Sequence, residues 1–454
     1  MLPSFTADAR QAGGTFTPEM FGARGDGHTD DSAAFAALSD AVNASGGGTV
    51  VLRNTTYRVG TVGPKAQPVR LMAFAGCVRP LIVRGNGARL RCADGQRYGV
   101  FGPGGASHRR VPPTSILRPY EAMISAVKCR GSIEISDIEL DGNLEAHILG
   151  GKYGDTGWQI GCNGVTLRDN LGPETLSNVH AHHHAEDGVY LDGIDVPTPG
   201  IRRRLINLTC DANGRQGMSI TGGHDYEISQ SSFTRTGRGK IASAPGAGVD
   251  IEAERHKRIR NLRFTDCRFT DNYGCGLVAD SGDSADVHFA GCTFIGTTNW
   301  AAWPNKPGFR FDRCGFVGSL VNPFGSPDPA QATQFVDCTF SDDPGQSPTG
   351  KLLLRKNLSA DISHAQNVLF EGCKFTMNHD GILPWSAGVI WSNCEMSQRS
   401  AQTAHTRGTF RGVNRITGPV DISSSTIEGT LVLNGRIVPK TSHVGGPSGS
   451  GNRT

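Results

Sequence analysis

The sequence predicts an all-β chain, a single-stranded right-handed parallel β-helix (solenoid) with a short N-terminal capping helix. Three observations predict it. A phrase of the form aromatic-x-x-Cys-x-Phe keeps returning in the C-terminal half. A second phrase, a Gly followed by alternating residues, returns every 28–31 residues through the middle. Gly is abundant at 61 of 454 residues, and Gly, Asn and Asp break the short alternating runs. Repeats of this length mean stacked supersecondary units, and period-two runs between turn residues mean strands rather than helices.

Composition excludes several classes. The formal charge of +3 on 454 residues, with no long basic stripe, argues against nucleic acid as a partner. No apolar run approaches the roughly 18 residues a membrane span needs. Twelve Cys raise disulfides or zinc, but no CxxC pair occurs. The start "MLPSFTADARQAGG" lacks a basic n-region and an apolar h-region. A secreted or periplasmic protein whose leader is missing from this sequence is the expectation.

Taken in order, residues 1–15 are expected to be flexible, and 16–60 to form a cap. Within "MFGARGDGHTDDSAAFAALSDAVNASGGGTVVL", Asp30 or Thr29 can cap a helix over about 30–43. Phe35, Leu38 and Val42 then make one apolar stripe, and "GGG" (46–48) ends the helix before a strand. Such a helix would cover the open end of the solenoid, whose unpaired edge invites aggregation. This segment resembles the N-terminus of the pectate-lyase-like superfamily, which includes polygalacturonases, rhamnogalacturonases, lyases and phage tailspike depolymerases. The resemblance implies the β-helix and a polysaccharide substrate. The Asn-Thr-Asp strand, Asp-Asp pair, Gly-His-Gly turn and Arg-Ile-Lys strand of polygalacturonases are absent in that order, so that family's catalytic residues do not carry over.

Residues 61–441 are expected to form the coils, and the Gly/Ser-rich 442–454 a disordered tail. Six Cys sit in "FTDCRF" (264–269), "FAGCTF" (289–294), "FDRCGF" (311–316), "FVDCTF" (335–340), "FEGCKF" (370–375) and "WSNCEM" (391–396). They are expected to be buried free thiols stacked beside Phe ladders. "LDGN" (140–143) is read as a structural turn.

The second phrase aligns "GWQIG" (157–161), "GVYLD" (188–192), "GMSIT" (217–221), "GVDIE" (248–252) and "GLVAD" (276–280). Its second and fourth residues are mostly apolar and face inward: Trp158 and Ile160, Val189 and Leu191, Met218 and Ile220, Val249 and Ile251, Leu277 and Ala279. The third and fifth therefore face outward. Rungs stack about 4.8 Å apart and alternate residues sit about 6.6 Å apart. This brings Asp250, Glu252, Asp280 and Asp192 onto one face, where mutual repulsion raises some pKa values toward those of a general acid. These four are the expected catalytic group. Glu254 begins the charged turn "ERHKR" (254–258) and is read as an ordinary surface pairing.

Around them, Tyr190 would wall the site and Asp187 would edge it. "HAHHHAEDG" (180–188) places His180, His182 and His184 on one parity and His183 on the other. The run can bind a metal, fill surface or line a groove. The groove reading, with His184 touching substrate, is preferred, and no metal is assigned. His224, Arg215, Trp300, Trp303 and Lys306 complete the expected substrate contacts, the two Trp as sugar platforms.

These residues together suggest a glycoside hydrolase acting on a polysaccharide, through one proton-donating carboxyl and one that activates water or attacks the sugar. The first alternative is a lyase or C5-epimerase on a uronic-acid glycan, with calcium admitted there as an acid-bound cofactor. The hydrolase needs no cofactor. A non-enzymatic carbohydrate-binding β-helix is the remaining alternative. A monomer or small homo-oligomer is expected.

Overall fold

The computed structural model describes residues 14–60, 68–102, 116–151, 160–354, 356, 358–363 and 365–440. The chain divides into two compact units, Met1–Leu262 with Asn272–Gly274, and Arg263–Asp271 with Cys275–Thr454. Both are parallel β-helices, as the repeats predict. Most of the 1–15 and 442–454 segments, and Trp158, lie outside the described residues. Thr15–Phe16, however, form a strand parallel to Thr49–Val50.

In the first unit one sheet carries Gly48–Val51, Leu81–Cys92, Ile133–Asp141 and Glu174–His182 in parallel register. The next coils continue it with Arg203–Ile206 and Thr209–Asp211, then Tyr226–Ser229 and Ser232–Thr234. A second sheet stacks Met72–Ala75, Ala122–Val127, Asn163–Arg168, Asp187–Asp192, Gln216–His224 and Ala247–Ile251. Val189, Leu191, Met218, Ile220, Val249 and Ile251 are fully buried, as their alternation requires. Coils turn on residues with left-handed backbone: Asp137, Asn178 and Asn207 have φ of 57°, 54° and 54°. Asn178 donates to Asp137 and Asn207 to Asn178, each at 2.8 Å, so the turn side chains form a ladder of their own.

The capping helix runs Ser32–Ser45, slightly later than expected. Its start is set by both acids of "TDD". Asp30 Oδ1 accepts the Ser32 N–H at 3.0 Å, while Asp31 accepts from the Arg24 and Gly25 N–H groups at 2.7 and 3.1 Å, which ties down the preceding loop. Gly46, at φ 71°, closes it. Phe35, Leu38 and Val42 are fully buried.

The helix also meets the strand-edge problem directly. Ser39 Oγ bridges Leu71 O (2.7 Å) and Ala73 N (3.1 Å). Asn43 donates to Ala73 O (2.9 Å) and accepts from Ala75 N (3.0 Å). Two helix side chains thus stand in for a next strand beside Met72–Ala75, where none lies among the described residues.

In the second unit Phe264, Phe289, Phe311, Phe335, Phe370 and Trp391 form one stack, with centroids 4.7–5.0 Å apart. Phe269, Phe294, Phe316, Phe340 and Phe375 form a second at 4.2–5.0 Å. All twelve Cys are free and buried. Those of the repeat make a ladder: the thiols of Cys292, Cys314, Cys338, Cys373 and Cys394 point to the carbonyls of Phe264, Phe289, Phe311, Phe335 and Phe370 one coil back, at 3.2–3.6 Å. A small apolar side chain with a weak donor fits this slot. Among the described residues no helix is long and apolar enough to cross a membrane.

Asn43→Ala removes both edge contacts of that side chain and leaves backbone groups of Ala73 and Ala75 without their helix partner. Unfolding free energy is expected to fall by about 1–3 kcal/mol, read by urea denaturation. Unchanged stability would refute the edge-capping role.

Candidate active site

On the second sheet of the first unit, parallel register fixes one outward column: Ala73, Ser125, Thr166, Tyr190, Ser219, Asp250. At its acidic end lies a small cleft of about 50 Å³, lined by Arg215, Gln216, Ser219, Thr221, Pro245, Asp250, Glu252 and Glu254 among others. Further along the same face a cleft of about 340 Å³ is lined by Arg70, Glu121, Ser125, Thr166 and Arg168 among others.

The acidic cleft is organised around a buried cation. Arg215 Nε and its terminal nitrogen donate to the two oxygens of Asp187 at 3.1 and 3.0 Å, a bidentate pair in which Asp187 is completely buried. Ser219 Oγ donates to Asp187 at 2.7 Å and receives from Arg215 at 3.3 Å. Glu186 stands 3.9 Å from the guanidinium and accepts the Cys162 N–H at 3.1 Å. Burial first, and the Asp187 charge second, push the Glu186 carboxyl up to about 7. For Arg215 burial works against the charge, but Asp187 and Glu186 more than offset it and hold its pKa above the ordinary value.

Gln216 Nε2 donates to Asp250 Oδ2 at 2.8 Å and so fixes the carboxylate of the central acid. Past the end of their own strand, Glu252 and Glu254 continue alongside the previous coil, their N–H groups bonded to Ile220 O (3.1 Å) and Thr221 O (2.9 Å). Glu254 is half-buried, and its carboxyl is raised: burial and the charges of Glu252 and Asp192 outweigh Arg215 and Arg255. Tyr190 accepts from Thr221 Oγ1 at 3.1 Å, and burial pushes its phenol up to about 12. The cleft therefore combines a carboxylate oriented by a side-chain amide with a second carboxyl biased toward keeping its proton, the two roles acid–base catalysis needs.

The structure brings Asp250, Glu252, Arg215, Asp187 and Tyr190 together as expected, and corrects several other readings. The coil before "GVYLD" is not "GWQIG": the strand Asn163–Arg168 pairs Thr166 with Tyr190 and Arg168 with Asp192. Val165 and Leu167 are the inward pair, fully buried, so "GVTLR" (164–168) is the true line. Asp192 leaves the acid group because the register shifts between Leu191 and Asp192, setting it opposite Gly222. There it is buried in ion pairs with Lys257 (2.6 Å) and Arg255 (3.5 Å). Asp280 is exposed just past the strand Leu277–Ala279 in the second unit, and its place in the acid group stays an expectation. Glu254, expected at the surface, lines the cleft.

His184 cannot touch substrate. His183 adopts φ 54°, which breaks the strand alternation and turns His184 into the core, fully buried. Its Nε2–H donates to Leu140 O (3.0 Å) and its Nδ1 accepts from Tyr120 (2.9 Å), while burial lowers its pKa to about 3. His224 is also buried, donating to Asp195 O at 2.7 Å. Trp300 and Trp303 pack edge to face at 4.9 Å in the second unit, where Lys306 is also half-buried. Gln216, Ser219 and Glu186 join the site without having been expected there. Extending the alignment one column upstream of the glycines would have exposed Asp187 opposite Gln216.

No protein-family model matches the chain. Over 43 residues, 9% of this chain and 5% of the relative, it is 60% identical to "Depolymerase 1, capsule KN3-specific" of Klebsiella phage KN3-1. Pre-mature gene product 12 of bacteriophage phi29 matches at a TM-score of 0.52 and 13% identity, over 94% of this chain and 57% of that one. The A-module of mannuronan C-5 epimerase AlgE4 from Azotobacter vinelandii matches at 0.49 and 18%, over 91% and 100%. The chain thus spans a small fraction of its curated relative and little over half of the phage protein. The likeness to the phage protein, at this identity, is one of fold.

The raised carboxyl of Glu186 has a consequence for stability. A carboxyl whose folded pKa of about 7 exceeds the ordinary 4.5 favours folding fully below pH 4.5, and that contribution is lost as pH rises toward 7. Glu186→Gln is expected to flatten the fall in stability across that window, read by denaturation midpoints at stepped pH. A slope identical to wild type would show that Glu186 is not the titrating group.

Proposed function

We propose that this protein is a glycoside hydrolase that degrades a polysaccharide laid along the outward face of the first unit's second sheet. The observation that carries this reading is the acidic cleft: Asp250 held by Gln216, with Glu252 and the proton-retaining Glu254 beside it. In this scheme Glu254 protonates the leaving glycosidic oxygen, and Asp250 activates water or attacks the sugar, with Glu252 supporting the pair. Arg215 and Tyr190 offer donors to sugar hydroxyls. The larger cleft with Arg70 and Arg168 extends the binding track. The short identity with a capsule-specific phage depolymerase favours a bacterial surface polysaccharide, met outside the cell. This chemistry requires no cofactor.

One observation favours a second reading, β-elimination or C5 epimerisation of a uronic acid. The Arg215 guanidinium lines the same cleft and could neutralise a sugar carboxylate. Tyr190 would not serve there as the base at neutral pH, because its phenol keeps its proton up to about 12.

A panel led by capsular polysaccharides, assayed both for new reducing ends and for ultraviolet absorbance of an unsaturated product, separates the readings. Hydrolysis gives reducing ends alone. Asp250→Asn and Glu254→Gln are each expected to lower kcat by roughly 10²–10⁴-fold, with Glu252→Gln also reduced. Full activity in both Asp250→Asn and Glu254→Gln would overturn the site, and ultraviolet-absorbing product would overturn the hydrolase.

A further inference from the structure

The first sheet of the first unit carries a second cluster of reactive side chains, and nothing in the proposed hydrolysis uses it. Parallel register sets His180 opposite Glu139, and His182 opposite Asp141. The rings of His180 and His182 lie 4.2 Å apart. His182 Nε2 approaches Glu139 Oε1 at 3.1 Å, and one donor atom each from Glu139, His180 and His182 falls within 4.8 Å of the other two. The left-handed turn at His183 brings its ring back to the same face, with His183 Nδ1 at 2.7 Å from His182 Nδ1 and Asp141 Oδ1 at 3.7 Å.

We infer that Glu139, His180 and His182 form a binding site for a borderline divalent transition metal, zinc in the first instance. Two imidazoles and a carboxylate are a donor set suited to zinc, and three protein ligands leave a fourth position open. The second independent observation is His180 Nε2, a water-inaccessible atom of a half-buried side chain, which has no hydrogen-bond partner. A buried polar atom left without a partner is unfavourable, and a metal bond would satisfy it.

The surroundings fit this assignment. A metal-bound imidazole commonly donates its other ring N–H to a partner that orients it. Here His182 Nδ1 faces His183 and Asp141, which makes those two positioning residues. Arg89 lies 3.0 Å from Glu139 and pairs with Asp141, and Arg91 is 3.6 Å from Asp141, so a bound metal displaces Arg89 from Glu139. Asp211, opposite His182 on the next coil, is held by Arg235 and Thr234. Calcium, which takes oxygen donors, gains little from two imidazoles.

The test uses the untagged full chain, stripped with EDTA and desalted, and titrated with zinc chloride against a chromophoric chelator. The expected result is one zinc per chain, with a Kd of about 1 μM or tighter, and no displacement by equimolar calcium. His180→Gln and Glu139→Gln are each expected to weaken zinc at least tenfold, and His183→Gln about 10–100-fold through lost orientation. Metal-free thermal unfolding of each variant, matched to wild type, separates lost ligation from lost folding. Should one variant fail to fold, the other two still decide. No zinc uptake by wild type, or wild-type affinity in every folded variant, would overturn the site.

Discussion

Everything chemical in this protein depends on the parallel register of its coils. Strand side chains alternate with period two, so fixing which columns are apolar and inward also fixes which are outward. Val189, Met218 and Val249 occupy one fully buried column, and Leu191, Ile220 and Ile251 another. Tyr190, Ser219 and Asp250 between them have no choice but to share an outer column. The same logic on the first sheet sets Glu139 against His180 and Asp141 against His182. Burial of apolar columns, worth roughly 25 cal/mol per Å², therefore positions the reactive groups although none of them contributes to it.

Electrostatics then sorts the acids around the cleft into roles. Asp187 and Asp192 are both buried carboxylates on the same strand, yet each is committed to a cation: Asp187 to Arg215, Asp192 to Lys257. Breaking such a buried pair leaves an unpaired charge, so these acids hold structure and are poor candidates for changing protonation during a reaction. Glu254 is in the opposite situation, half-buried among like charges, and retains its proton more readily. Asp250 lies between the two cases. The Gln216 amide orients it, and its charge adds to the field that keeps Arg215 protonated. A neutral donor thus sets the direction of this carboxylate.

The fold was legible in the sequence because its signals are periodic. The Cys–Phe phrases and the Gly-led lines are copies of one coil, and copies survive without knowledge of contacts. The candidate site was legible only in part. Asp250 and Glu252 followed from alternation, while Asp192 was lost to one irregularity of register between Leu191 and Asp192. "GWQIG" matched the pattern but "GVTLR" occupies the rung, because a Gly-led apolar alternation is short enough to arise by chance beside the genuine coil. Arg215 was expected at the site, while Gln216 lies one column upstream of the aligned glycines and is placed by its pairing with Asp187.

The His run shows most clearly what a period-two reading leaves out. After the strand ends His182, Asp211 and Thr234, the next residue in each coil takes a left-handed conformation: His183, Ala212 and Arg235, at φ 54°, 51° and 53°. One such residue inverts the parity of the residues after it. His184, Asn213 and Thr236, outward by simple counting, are fully buried. Asn213 uses that position to bond the backbone of Ala181 and His184, and His184 to bond Leu140 and Tyr120. The turning residue itself reaches back over the outer face, Arg235 to Asp211 and His183 to His182. The same backbone device thus buries one histidine of the run as core and returns its neighbour to the surface cluster. Four histidines that look equivalent in the sequence have different chemistry because of one positive φ.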